Sequence, residues 1–433
     1  MHPSRRGIVL TIALLLPLAG RADVRLEAPA TISFFEAPAI RVSGLRALEM
    51  VTLVTTVSDA RGTAYTSRAS FRAGLDGVID TTRSIANGDY EGIDAMGPFW
   101  SVKGEGPFRL PLTGSLPATI RVDNAAGTEL ASATMQRVVV PESVTVTKLQ
   151  PPEAPFVGNL YEHPGAGKRP IVITLTGSAG GIDPWIAPWV ASQGYDVLSL
   201  AYFNAEGLPT HLLERPLEYF LDALQWCEKR APASPIGIVG VSKGAEAALL
   251  IASYFPEHVR AVGAWFPTHV VWEGIDIRGR IGRDPNFQAP GKSGWSLRGQ
   301  PLPYVPKFIS AQRKIEPPFA SLDVYAPRLD EPIDPAARIP VERIRAAVFM
   351  IAAGDDLAWP SLRMAREVRK QLAKRRRASE VQLHEYPMAG HAIMTPGMPS
   401  TVALGGTRTA NANASSDAWG RLAHFLRERL GPP

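Results

Sequence analysis

From residue 23 to about 140, apolar and polar residues alternate in short runs broken by turn residues, as in "EMVTLVTTVSDARG", "TAYTSRASFRA", "ATIRVDNAAG" and "ATMQRVVV". This period of two, with no convincing amphipathic helix, predicts half-buried strands packed as a small all-β, immunoglobulin-like sandwich. After Pro141 the pattern changes. Continuous apolar runs at 170–177, 195–203, 236–242, 260–266, 345–353 and 380–387 alternate with helical periodicity at 183–193, 212–229, 243–254, 361–374 and 416–430. Apolar strands separated by amphipathic helices predict an α/β domain: a doubly wound, mostly parallel sheet covered on both faces. Such a sheet collects its ligands at the carboxyl ends of its strands. The alternation lapses between 267 and 340, a Pro- and aromatic-rich insertion holding Trp272, Trp295, Tyr304, Phe308, Phe319 and Tyr325. An insertion of that length is a lid or a packed excursion, and its aromatic residues suit a ligand pocket or a core equally well.

The first residues alter this division. Arg5 and Arg6 precede an apolar core of 11 residues, Ile8–Leu18, and small residues at Gly20 and Ala22 come before Asp23. The core is too short for the roughly 20 residues of a membrane span, so residues 1–22 read as a secretory signal peptide, with a short anchor as the alternative. The expected mature protein is exported, periplasmic or secreted, with a sandwich at 23–140 and a larger domain at 141–433. Hydrophobic content of 45% and charged content of 20% are those of a globular chain. The net charge of +5 owes three arginines, Arg5, Arg6 and Arg21, to the leader, so the basic balance argues for no nucleic-acid partner. Cys227, the single cysteine, shares a helical stripe with Leu217, Phe220, Leu221 and Leu224, which predicts burial and excludes an intramolecular disulfide. The basic run Lys370–Arg377 fits a solvated helix end better than an anion-docking surface. No cofactor or metal site is indicated.

Chemistry is concentrated at "GIVGVSKGAEAALL", residues 237–250, where Ser242 ends a strand run and opens a helix run. A sharp strand-to-helix turn needs the flanking glycines Gly240 and Gly244 and lifts the serine hydroxyl above the sheet edge, as in a nucleophile elbow. A serine hydroxyl needs a base, and the base needs an acid to hold its tautomer; the chain order expected here is serine, acid, histidine. Of the histidines after the insertion, His384 lies in a strand run and His424 in the last helix, whereas His391 stands on the loop "MAGHAIM" at a strand's carboxyl end. His391 is the candidate base. The loop "AAGDDLAWP" supplies Asp355 and Asp356, which spacing does not separate; one orients His391 and the other caps the helix beginning near Ser361. The oxyanion requires two amides, that of Lys243 and one from the loop "TGSAGG" at 176–181, where Ser178 and Ala179 are the candidates.

Together with "GDYEGIDAMGPFWSVK", "LSLAYFNAEGLP", "LEYFLDAL", "GDDLAW", "AGHAI" and the tail "LGGTRTANANASSDAWGRLAHFL", these motifs resemble the acyl-CoA thioesterase and bile acid-CoA:amino acid N-acyltransferase family over nearly the whole mature chain. The resemblance implies a sandwich followed by an α/β-hydrolase domain that moves an acyl group from a thioester, without a cofactor. It implies a triad of Ser242, Asp356 and His391, the acid being the residue three before Trp359. Family members that transfer to amino acids tend to carry cysteine as nucleophile, so Ser242 implies water as acceptor. The expected activity is serine-dependent thioester hydrolysis. The alternatives are a carboxylesterase or peptidase-like acyl hydrolase, acyl transfer to an amine, and a non-catalytic binding protein with an idle triad.

Overall fold

A computed structural model describes residues 23–165, 169–232, 234–276, 290–307, 320–374 and 380–433. The expected signal peptide, Phe308, Phe319 and the end of the basic run, 375–377, lie outside the described residues. Two antiparallel-rich sheets form the N-terminal part. One has six strands in the order Thr31–Ser33, Glu129–Val140, Gly114–Asp123, Met50–Ser58, Ala64–Arg72, Ala86–Gly88; the other has Arg25–Glu27, Arg41–Ser43 and Ile79–Asp80. Alternation places Tyr65, Ser67, Ala69 and Phe71 inside along one strand, against Val51, Leu53, Ile120 and Val122. A short helical turn, Gly97–Trp100, interrupts the all-β pattern.

The second part is one eight-stranded sheet. Its strands are β1 (Thr145–Leu149), β2 (Val157–Glu162), β3 (Ile171–Leu175), β4 (Asp196–Ala201), β5 (Ile236–Val241), β6 (Ala261–Trp265), β7 (Ala347–Ala353) and β8 (Val381–Tyr386). They lie in the order β1-β2-β4-β3-β5-β6-β7-β8; β2 pairs antiparallel with both β1 and β4, and the remaining neighbours pair parallel. This mostly parallel sheet, doubly wound and preceded by a smaller sheet domain, is the α/β-hydrolase architecture expected. β1 and β2 are additions to that expectation: their alternating, Pro-flanked sequence belongs to the antiparallel edge rather than to the buried centre.

Helices cover both faces. On one lie α2 (Glu218–Arg230), α3 (Lys243–Tyr254) and α5 (Ser361–Leu372); on the other lie α1 (Ile186–Ser192) and α6 (Arg408–Leu430), and α4 (Leu322–Asp330) belongs to the insertion. α3 is buried from Lys243 to Ser253; apart from Lys243 and Glu246, its residues there are small or apolar, as burial on all sides requires. Trp419 on α6 packs against Trp189 at 4.6 Å and Trp265 at 4.5 Å, fixing that helix across the sheet. Two helix boundaries differ from the periodicity. α2 starts at Glu218 instead of 212, because Arg215–Pro216 pairs with Trp295–Ser296 of the insertion. α6 starts at Arg408 instead of 416, because the Thr407 side chain accepts from Ala410 N and Asn411, Ala412, Ala414 and Ser415 form a buried face within the polar run. Within the insertion, Trp272 and Trp295 are fully buried and Cys227 is buried on α2. Among the described residues no helix is long and apolar enough to cross a membrane.

The two parts are tied beside the C-terminal face of the sheet. Arg408 Nη2 donates to the carbonyls of Trp100, Ser101 and Val102, its Nε donates to Ser400 O, and Ser400 N donates to Trp100 O at 2.8 Å. The sandwich therefore grips the chain segment that follows His391.

Candidate active site

Ser242 stands between β5 and α3 with φ 56° and ψ −116°, outside the broad allowed basins, at a cost of about 1–3 kcal/mol. The packing around it enforces that conformation. A Cβ on Gly240 would lie 2.1 Å from Gly244 O, and one on Gly244 would lie 2.4 Å from both Leu175 O and Thr176 O. Only glycine fits at either position, so β3, β5 and α3 meet closely enough to aim the serine out of the sheet. Its amide donates to Trp265 O at 2.8 Å, anchoring the turn to β6.

The loop after β3 reaches the same point. A Cβ placed on Gly177 would lie 3.8 Å from Ser242 Oγ, which puts 176–181 beside the hydroxyl. Gly180 N is spent on Gly177 O and Gly181 N on Phe203 O, while the Asn204 amide donates to Ala179 O at 2.8 Å. Among the described residues the Ser178 and Ala179 amides donate to no protein group, and the Lys243 amide opens α3, where no carbonyl precedes it for an intrahelical bond. These amides are unspent donors on the two segments that meet at the serine.

His391 and Asp356 meet on the other side. His391 Nδ1 lies 2.8 Å from Asp356 Oδ2, both side chains being nearly inaccessible at 8% and 2%. An ionised carboxylate only accepts, so the proton of this bond sits on Nδ1 and Nε2 is left with its lone pair. Asp356 Oδ1 accepts from Ala358 N at 2.9 Å and Trp359 N at 3.1 Å, which fixes the carboxylate's rotamer. Phe266, at the end of β6 with φ 54°, stacks on the imidazole at 4.2 Å between centroids and 27° between planes. Its neighbour Trp265 accepts the Ser242 amide, so strand β6 brings the serine turn and the histidine ring to one rim.

The neighbouring acid plays another part. Asp355 is exposed, and its Oδ2 accepts from Gly406 N at 2.8 Å. Neither aspartate caps α5, whose N-terminal residue Pro360 makes no side-chain cap; the expectation of a capping aspartate is corrected, since both carboxylates are committed to loops. His384 lies on β8 against Phe349 at 4.9 Å and His424 is exposed on α6, so neither shares the contacts of His391.

Three positions escaped the sequence reading. Asn411 is buried on α6; its Oδ1 accepts from Gly390 N, and its Nδ2 donates to Thr401 O and Gly405 O. With His391 N donating to Leu404 O, these bonds fold the loop from 389 to 406 back upon itself. Phe266 and Arg408 complete the support. The run "TRTANANASSDAW" gives no signal that singles out Asn411, since Asn413 beside it is exposed. Among the described residues no group of three or more metal-ligating side chains occurs.

Known proteins share this arrangement of sequence. Residues 215–432, half of the chain, match the family described as BAAT / acyl-CoA thioester hydrolase C terminal, and residues 36–151 match the acyl-CoA thioester hydrolase/BAAT N-terminal region. Acyl-coenzyme A thioesterase 1 of Homo sapiens is 29% identical, over 95% of this chain and 97% of its own. Bile acid-CoA:amino acid N-acyltransferase of Mus musculus is 28% identical, over 91% of this chain and 94% of its own. Among solved structures, an α/β-hydrolase enzyme from a Medee basin deep-sea metagenome library is similar at 17% identity and a TM-score of 0.41, over 67% of this chain and 99% of that one. With both family regions present in order, the chain belongs to the BAAT / acyl-CoA thioester hydrolase family.

Proposed function

We propose that the mature chain is an exported serine hydrolase that cleaves acyl thioesters through Ser242, His391 and Asp356. The observation that carries this reading is the 2.8 Å bond from a buried imidazole to a buried carboxylate, at the rim that also holds a serine strained into an elbow. In the proposed sequence Nε2 of His391 takes the proton of Ser242 as Oγ bonds to the acyl carbon, and the carbonyl π bond becomes an oxyanion held by the amides of Lys243 and of Ser178 or Ala179. The carbon–sulfur bond then breaks as His391 protonates the departing thiolate; His391 next takes a proton from the water that attacks the acyl-enzyme and returns it to Ser242 Oγ as the carbon–Oγ bond breaks, releasing the carboxylic acid. A thiol of pKa about 8.5 leaves with less help from a general acid than an alcohol does.

The relatives named as acyl-coenzyme A thioesterases support a thioester substrate, and a serine nucleophile supports water as acceptor. Export rests on the Arg5–Ala22 segment alone; the N-terminal sequence of protein recovered outside the cytoplasm is expected to begin at Asp23, and recovery only as a full-length cytoplasmic chain would remove that part. The activity is tested by thiol release from a series of acyl-CoA chain lengths, with oxygen esters of the same acyl groups as controls. Thioester turnover is expected to exceed ester turnover and to vanish in Ser242→Ala; faster ester cleavage, or activity retained by the variant, would contradict the reading.

A further inference from the structure

Directly behind the nucleophile lies an ion pair with no access to solvent. Lys243 Nζ donates to both oxygens of Glu246, each at 2.8 Å, with the side chains 4% and 0% exposed. Glu246 Oε1 also accepts from the indole Nε1 of Trp295 at 2.7 Å and from Trp272 N at 3.1 Å, and Lys243 Nζ reaches Trp272 O at 3.3 Å. Burial lowers the affinity of Lys243 for its proton and Glu246 restores part of it. Removing two charges from water costs several kcal/mol each, and a packed apolar pair would serve stability as well or better. A fully bonded buried pair instead specifies geometry.

The geometry so specified is that of the amide following Ser242. From Glu246 the contacts run on to the other oxyanion donor. Trp295 stacks on Tyr202 at 5.7 Å and 30°, and Tyr202 OH donates to Thr176 O at 2.7 Å, where the 176–181 loop begins. Phe203, next in the chain, accepts from Gly181 N at the loop's other end. Both halves of the oxyanion site are therefore fastened to one buried cluster, with Glu246 at its centre and the insertion supplying Trp272 and Trp295.

We infer that Glu246 is a positioning residue that, through Lys243 on one side and Trp295 and Tyr202 on the other, sets the spacing of the two amides that receive the oxyanion. The inference rests on the acyl-hydrolase reading above. It predicts a defect confined to states that carry the tetrahedral oxyanion.

The test compares two ligands. A trifluoromethyl ketone bearing the acyl chain adds Ser242 Oγ across its carbonyl, forming a carbon–oxygen bond and an oxyanion while the serine proton passes to His391. The matching thioether lacks the carbonyl and reports ground-state binding only. In Glu246→Gln, kcat/KM and affinity for the ketone are expected to fall together by roughly 10²-fold, the scale of one misplaced oxyanion donor. Binding of the thioether is expected to stay within about twofold of wild type, as ground-state contacts are untouched. Trp295→Phe, which keeps an aromatic ring and removes the indole donor, is expected to show the same pattern at roughly tenfold and carries the test should Glu246→Gln fail to fold. Equal weakening of both ligands, an unchanged ketone affinity, or wild-type rates in a folded variant would overturn the inference. A wild-type protein that neither cleaves a thioester nor binds the ketone would sink the underlying reading, and the inference with it.

Discussion

The two halves of the site are held by different means. Ser242 is placed by sterics: Gly240 and Gly244, two residues to either side of it, let β3, β5 and α3 come together, and any side chain there meets a carbonyl within 2.4 Å. Asp356 and His391 are placed by hydrogen bonds between loops far apart in the chain, through Asn411, Asp355 and Gly406, with Arg408 reaching across to the sandwich. The nucleophile half behaves as a rigid turn. The acid–base half is a loop assembly whose precision is borrowed from α6 and the N-terminal domain, so the same loss of one contact has different consequences on the two sides.

Exchanging the aspartates breaks the acid–base half most sharply. Asp356→Asn is expected to lower kcat by about 10⁴-fold, because the amide presents a donor to Nδ1 and selects the wrong tautomer. Asp355→Asn keeps an acceptor for Gly406 N and is expected to change kcat only by a few fold, the scale of one exposed hydrogen bond. Steady-state kinetics of the pair decides the assignment; equal losses would mean that both carboxylates serve the imidazole. On the nucleophile side, Gly244→Ala is expected to cost about 3 kcal/mol or more, since the added carbon meets fixed backbone on β3 rather than a mobile side chain. Urea denaturation measures it, and a loss below 1 kcal/mol would show that the turn is not sterically locked. A milder effect than that of Asp356→Asn belongs to Asn411→Ala. Three hydrogen bonds vanish from the loop carrying His391, and kcat is expected to fall roughly tenfold with KM nearly unchanged, while stability drops by about 2 kcal/mol. An unaltered kcat despite that loss of stability would mean the loop finds its geometry without α6.

This contrast also explains what was readable in the sequence. The strand-to-helix turn at Ser242 is a local event, and local sterics leave glycines at fixed offsets. His391 could be singled out because chain order restricts the base to a loop after the last strands. Spacing did not separate Asp355 from Asp356, adjacent residues on one loop, because the choice depends on the His391 ring and the Gly406 amide, which arrive from elsewhere in the chain. Asn411 looked like loop composition because a buried amide that ties three carbonyl or amide groups has the same sequence signature as an exposed one. Arg215–Pro216 read as helix because Leu212 and Leu213 continue the apolar stripe, whereas the backbone pairs with Trp295–Ser296, some 80 residues on. Glu246 was likewise invisible: in "KGAEAALL" it occupies an i, i+3 offset from Lys243 that usually marks a solvated pair, and only the insertion's tryptophans bury it.

The most direct test is the rate and site of covalent labelling by a fluorophosphonate, followed by mass spectrometry of the modified peptide. Labelling is expected at Ser242 alone, once per chain, and about 10³-fold or more slower in His391→Ala, where no imidazole accepts the hydroxyl proton. Modification of a different residue, or an undiminished rate in His391→Ala, would show that the serine and the imidazole do not act in series.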